Sequence, residues 1–326
     1  HSVRLEPTID KRGHPARFAS GERSGEIKTR KVKYFRVPRA SDEAAILSCK
    51  QRVELSWDDW LRRDLVPTEP YLGGHSDRIM NYGARDWLFM FNPRQLLANV
   101  TLMRIFLDVQ SEIRSSLGHD KGNAVITYLQ FIIDKYVGYN STLTFWDYTR
   151  GGSVKHTFSR HDFGIRWAYC EMPPSGVSSG PRWALSQIVD AYTALSALME
   201  NVHHSIDGDV PLKVLNGSAA RMADVSSGSV DLVCFDPPYY DNVQYSELSD
   251  FYYVWQKRGL RDVYPELFSR RLTNKRDEAV ANPARDGSLA KAKLAYERMM
   301  SEIFVECHRV LKKDGVMTIM FTHKKQ

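Results

Sequence analysis

An α/β fold is predicted for this 326-residue chain, and three observations carry the prediction. An apolar run, VDLVCF (230–235), reads as a buried strand because almost nothing polar interrupts it. A helical stripe of Met299, Met300, Ile303, Phe304, Cys307, Val310 and Leu311 follows, and a second apolar run, VMTIMF (316–321), closes the unit. Strand, helix and strand with a right-handed crossover imply parallel pairing in a Rossmann-like sheet, of which only part is present here. The segment before it reads as mostly helix and loop.

Taken in order, residues 1–90 look irregular, with scattered Pro and Gly. From Asn92 the pattern becomes helical: Asn92 suits an N-cap and Pro93 the first helical position. Leu96, Leu97, Val100, Phe106, Val109, Ile113 and Leu117 follow at helical spacing up to Gly118. Further helices are predicted from about Asn123 to Val137 and from about Trp183 to His203. Residues 140–158 read as a long polar and aromatic loop. LKVL (212–215) reads as a short strand, SSGS (226–229) as a turn, and LKKDG as the end of the last helix, with Gly315 just past it. The organisation expected is a basic irregular segment (1–90), a helical insertion (91–210) and a sheet-bearing region (211–326).

Composition sets limits. Hydrophobic residues make up 43% and charged residues 26%, ordinary for a globular chain. No apolar stretch has the length of a membrane span, and the start lacks a signal peptide's apolar core, so a cytoplasmic location without membrane contact is expected. With no initiator Met and a strand at its very end, the chain reads as a piece of something longer. Cys49, Cys170, Cys234 and Cys307 form no CxxC pair; no metal site is expected, and they read as reduced, buried thiols. The net charge of +6 is localised: residues 1–50 hold twelve Lys/Arg against six Asp/Glu, and the remainder has 33 of each. This arm (Arg12, Arg17, Arg23, Lys28, Arg30, Lys31, Lys33) suits a polyanion, although a solvated terminus has the same composition.

The chemistry-bearing residues stand where VDLVCF ends: Asp236, Pro237, Pro238 and Tyr239. Open α/β sheets bind ligands beyond the carboxyl ends of their strands. An aromatic amine is a poor nucleophile because its lone pair is delocalised into the ring. Asp236 and the Pro237 carbonyl can accept hydrogen bonds from such an amine and draw its nitrogen toward sp³. Prolines stiffen the turn, and the ring of Tyr239 offers a stacking face for an extruded base. A bare DPPY also occurs as a strand-ending turn; the preceding strand and the aromatic segment after it favour the chemical reading.

The segment DPPYYDNVQYSELSDFYYVW (236–255) resembles the large adenine-specific DNA methylases that carry a zinc-ribbon insert, nearly word for word. FNPRQLLANVTL (91–102), NSTLTFWDYTRGG (140–152), HTFSRHDFGIRWAYCE (156–171) and FTHK (321–324) resemble further blocks of that family, so the likeness spans about residues 35–326. It implies a methyltransferase sheet using S-adenosylmethionine to methylate adenine N6 in double-stranded DNA with the base flipped out. Asp236, Pro237, Pro238 and Tyr239 would act on the base, and Asn216, Ser218 and Asp236 would face the cofactor. Restriction or phage-defence partners would follow from the same likeness. Asn242, Tyr245 and Ser246 are base-pocket candidates because the loop after the motif must pass the base. Arg94 is a phosphate-contact candidate, with an exposed structural role as its alternative. His203 and His204 read as surface residues at a helix end, and Tyr252, Tyr253 and Trp255 as core.

Two departures bear on this. The family's F-x-G-x-G cofactor turn is absent, since Gly73-Gly74 and Gly151-Gly152 lack a preceding apolar strand; it is expected upstream, as are the zinc-ribbon cysteines. The family's GDA reads Gly217-Ser218-Ala219, placing Ser218 where an acidic residue is expected. Cytosine N4 or an RNA base as acceptor, and a non-catalytic DNA-binding module, stay open as alternatives.

Overall fold

A computed structural model of the chain describes residues 2–34, 36–72, 77–148, 152–176, 179–203 and 212–321. It mixes helices with three two-stranded sheets. His204, the Gly73-Gly74 pair, Gly151 and residues 322–324 of the FTHK block lie outside the described residues.

The basic segment is more ordered than its sequence indicates. Strands β1 (Ser2–Pro7) and β2 (Thr29–Tyr34) pair antiparallel from Ser2↔Tyr34 to Pro7↔Thr29. Helix α1 follows at Ala40–Arg62. Both were unexpected, for a physical reason: a two-stranded ladder is held by backbone hydrogen bonds and needs no apolar run. The helix is built from good helix formers with Trp60 alone fully buried, so it has little periodic stripe to read. The Asp42 carboxylate accepts from the Arg39 N–H (2.8 Å) and from the Arg36 guanidinium (2.6 Å), which starts the helix.

The helices that periodicity identified are present. Helix α2 (Pro93–Leu117) opens on a reciprocal cap: Asn92 Oδ1 accepts from the Gln95 N–H (2.9 Å), and Gln95 Oε1 accepts from the Asn92 N–H (3.0 Å). Gly118, at φ +77°, ends it. Helix α3 (His119–Gly138) begins four residues earlier than expected, directly after that glycine, and α4 spans Gly180–His203. The predicted loop at 140–158 instead contains a short antiparallel pair, β3 (Phe145–Asp147) with β4 (Ser153–Lys155).

The parallel unit is also present, smaller and barer than predicted. Strand β5 (Val230–Phe235) pairs parallel with β6 (Leu311–Ile319), and helices α5 (Tyr245–Leu260), α6 (Pro283–Asp286) and α7 (Leu289–Val310) lie between them in sequence. Three expectations are corrected here. The last helix ends at Val310, not at Gly315, because the turn before β5 captures its carbonyls: Gly228 N–H donates to Arg309 O and Ser229 N–H to Val310 O, both at 2.9 Å. LKKDG therefore begins the strand and bulges out of it, since Val230 faces Leu311 while Leu232 faces Val316. The LKVL run forms no ladder, with Val214 85% exposed. Strand β5 is not buried, with Leu232 58% exposed and Cys234 exposed. Of the four free cysteines, Cys307 is the buried one.

The main core lies elsewhere and draws on all three expected segments. Trp60, Leu65, Trp87, Phe91, Met103, Ile126, Ile133, Phe163, Phe251 and Trp255 belong to one buried cluster. Helix α5, which follows the DPPY loop, runs into it. Phe91 stacks on Phe251 (5.8 Å) and meets Trp255 edge-on (5.5 Å); Phe158 meets Phe251 edge-on (5.3 Å). Phe91 and Phe158, from two separate segments, thus converge on one helix. At its far end Arg258, with a side chain 1% exposed, pairs with Glu69 (3.0 Å) and Asp64 (2.8 Å) and donates to Val66 O. Breaking such a buried pair on one side costs about 3–5 kcal/mol.

Candidate functional site: the loop after the parallel strand

Asp236 leaves the carboxyl end of β5 exposed to solvent, and Pro237 behind it is buried. Tyr239 Oη donates to Asp236 Oδ1 at 2.5 Å, and this bond is the main reason the Tyr239 phenol is harder to ionise than usual. The Tyr239 ring is half-buried and stands perpendicular to Phe321, with centroids 6.4 Å apart. Tyr240 has φ +52°, a left-handed conformation costing a non-glycine residue on the order of 1 kcal/mol or more. Several contacts hold it there: the Tyr240 carbonyl accepts from the Ala281 N–H (2.9 Å), and its ring meets Tyr296 edge-on at 5.3 Å.

The two proline carbonyls differ. Pro238 O accepts from Tyr296 Oη (3.0 Å) and from the Tyr240 N–H (3.1 Å). Among the described residues nothing donates to Pro237 O. The loop therefore leaves two acceptors uncommitted on consecutive residues, the second carboxylate oxygen of exposed Asp236 and the carbonyl of buried Pro237.

The segment between α5 and α7 forms the support behind this loop. Glu278 accepts from Ser246 N–H (2.8 Å) and Ser246 Oγ (2.5 Å). Asn282 donates to Glu247 (2.8 Å), and Gln244 Nε2 to Ala281 O (3.2 Å). Asp250 holds Thr273 Oγ1 (2.7 Å) and Lys275 (2.5 Å). Arg285 ties the segment to itself through the carbonyls of Lys275, Glu278 and Val280. Ser246 is thus committed to Glu278, while Asn242 and Tyr245 are exposed beside the motif, Tyr245 by 49%.

Asn216 and Ser218 sit in an exposed turn in which Ser218 Oγ accepts from the Ala220 N–H (3.2 Å). The turn is anchored from α7: Arg309 donates to Met222 O (2.9 Å) and Val225 O (3.0 Å), and Glu306 accepts from the Met222 N–H (3.1 Å). Arg94 lies on the helical body, paired with Glu171 at 2.8 Å and still 41% exposed. Tyr253 and Trp255 are buried and Tyr252 partly so, as their aromatic pattern indicates.

Sequence reasoning missed Tyr296, Glu278, Asn282 and Arg285. Tyr296 had a signal, because it extends the stripe of Met300, Ile303, Cys307 and Val310 back by one turn. The other three are polar residues in a stretch without periodicity, and only their partners give them a role.

On the seam between α3 and α5, Asp134 of α3 accepts from Gln256 of α5 (2.7 Å) and from Gln130 (2.9 Å), and burial raises its pKa to about 7. Nearby, His156 Nδ1 accepts from the Phe158 N–H (3.0 Å), so its Nε2–H faces Tyr252 Oη at 2.7 Å. Burial, then the Lys135 charge, lowers the His156 pKa to about 4.

The chain matches no family model, no curated protein and no solved structure. Among the described residues no group of three His, Cys, Asp or Glu is placed to hold a metal, and no helix is long and apolar enough to cross a membrane. As for S-adenosylmethionine, the described residues do not fit it by themselves. Asn216, Ser218 and Asp236 are all exposed.

Proposed function

We propose that this chain carries the acceptor side of a nucleic-acid amino-methyltransferase acting on adenine N6 in DNA, within a Rossmann-like catalytic sheet. The observation that supports the reading best is the pair of acceptors at the end of β5. An exocyclic amine has two N–H donors, and here Asp236 Oδ2 and the Pro237 carbonyl stand uncommitted on consecutive residues while the neighbouring Pro238 carbonyl is taken. Accepting both hydrogens localises the nitrogen lone pair, and Tyr239 supplies a ring for the extruded base while its hydroxyl orients Asp236. Catalysis of this kind rests on positioning and electrostatics, with no covalent nucleophile. The methyl donor implied is S-adenosylmethionine, with Asn216 and Ser218 nearest to it in this reading, and Arg94, Asn242, Tyr245 and the basic hairpin contacting DNA.

The test is incorporation of labelled methyl groups from S-adenosylmethionine into duplex DNA, followed by nucleoside analysis of the product. N6-methyladenine supports the assignment, N4-methylcytosine moves the acceptor, and labelling of RNA alone overturns the DNA reading. A second reading, a DNA-binding module without catalysis, is favoured by the exposure of Asn216 and Ser218. Calorimetry separates the two: that reading requires salt-sensitive DNA binding with no cofactor binding even when DNA is present.

A further inference from the structure

A groove of about 1150 Å³ lies on the helical body, away from the DPPY loop in the chain. Helix α2 lines it with Arg94 and Gln95, strand β3 with Trp146, and a further segment with Trp167 and Tyr169. An adjoining cavity of about 490 Å³ shares Trp146 and adds Trp183 and Lys155. The volume exceeds the roughly 300–1,000 Å³ usual for small-molecule sites, which favours an extended ligand.

Three features define what the groove accepts. Trp167 is 90% exposed and meets Tyr82 edge-on at 6.1 Å, so most of the indole faces solvent. The indole of Trp146 is braced from one side: a Cβ on Gly152, which has φ +82°, would lie 2.5 Å from the ring. Gln95 lines the groove at 2% exposure, and its amide nitrogen has no partner among the described residues. Beside it Arg94, half-exposed, is paired with the Glu171 carboxylate at 2.8 Å. Stacking surfaces and a cation at the rim are the means by which proteins hold nucleobases on a charged backbone. Asp42 and Cys49 of α1 also line the groove.

We propose that this groove binds a single-stranded or locally unpaired stretch of nucleic acid, with bases stacked on Trp167 and Trp146 and Arg94 on the backbone. The proposal rests on the nucleic-acid part of the reading above and adds a second contact region to it. The experiment titrates the full chain with a single-stranded deoxyoligonucleotide and no methyl donor, following tryptophan fluorescence across a salt series. Inorganic polyphosphate and an acidic peptide serve as competitors. Trp167→Ala is expected to weaken binding roughly five- to a hundredfold without changing the salt slope, and Trp167→Phe to restore most of it. Arg94→Ala should lower that slope by about 0.7. Parental affinity in Trp167→Ala overturns the proposal. So does competition by polyphosphate as strong as that of the oligonucleotide, which means charge alone, or competition by the peptide, which means a protein groove. Methylation is scored separately. Oligonucleotide binding through Trp167 with no methyl transfer sinks only the enzymatic reading; methylation with Trp167→Ala binding unchanged sinks only the groove.

Discussion

The helical body and the parallel strand pair are built to opposite standards of burial, although α5 roots the site loop in the first and β5 carries it in the second. In the helical body Trp255, Ile126 and Val100 are fully buried, and a charged Arg258–Glu69 pair is sealed among them. In the strand pair Leu232, Val316 and Met317 are exposed at 58%, 59% and 39%. The motif loop is therefore held from behind by a rigid support and opens forward onto a surface that offers little packing. A site residue can be exact in position there only because Tyr296, Ala281 and Glu278 hold its loop from the side.

The first way to break this contrast is by truncation. Trp255→Ala is expected to cost about 3–5 kcal/mol of stability, whereas Leu232→Ala should stay within about 0.5 kcal/mol. Chemical denaturation measures both, and equal losses would mean that the strand pair is packed in solution. The next effect is on activity. Asp236→Ala should lower methylation by roughly a hundredfold or more, on the order of 3 kcal/mol, with DNA affinity largely kept. Near-normal methyl incorporation would refute the role given to Asp236.

A third test addresses the seam between α3 and α5 through its pH dependence. Asp134 has a raised pKa in the fold, so its contribution favours folding at low pH and is lost as pH rises toward about 7. His156 has a lowered pKa, so folding loses stability as pH falls from its ordinary range toward about 4. The two oppose each other across the same window. Thermal melts from pH 4 to 7 should therefore diverge: Asp134→Asn becomes more acid-sensitive than the parent, and His156→Asn gains stability as pH falls. Parallel curves would remove one of the two groups from the account.

The smallest expected effect is at Tyr239. Its ring is the stacking surface read from the sequence, and the structure adds a hydroxyl bond to Asp236. Tyr239→Phe should cost a few-fold in rate, about 1 kcal/mol for one hydrogen bond, and Tyr239→Ala clearly more. No loss in the Phe variant would make the Asp236 contact incidental to the reaction.

By itself the sequence determined the elements whose signals are local. The Asn92–Pro93 start and Gly118 stop of α2, the β5 run and the DPPY turn all follow from capping chemistry, φ preferences and periodicity within a dozen residues. The same holds for the aromatic identity of α5, whose Phe251, Tyr253 and Trp255 became core. Tertiary structure decided what local signals cannot encode. Helix α7 ends at Val310 because Gly228 and Ser229, some eighty residues earlier, take its carbonyls and Leu311 pairs with Val230. Ser246, read as a possible base contact, is engaged by Glu278, which no spacing rule connects to it. The groove of Trp146, Trp167 and Gln95 arises from three segments with no shared period, and bonds from Asn92 and Arg94 to Tyr169 and Glu171 tie the Trp167 segment to α2. Such features are sums of long-range contacts, and their energies appear only once the chain has closed the loops between them.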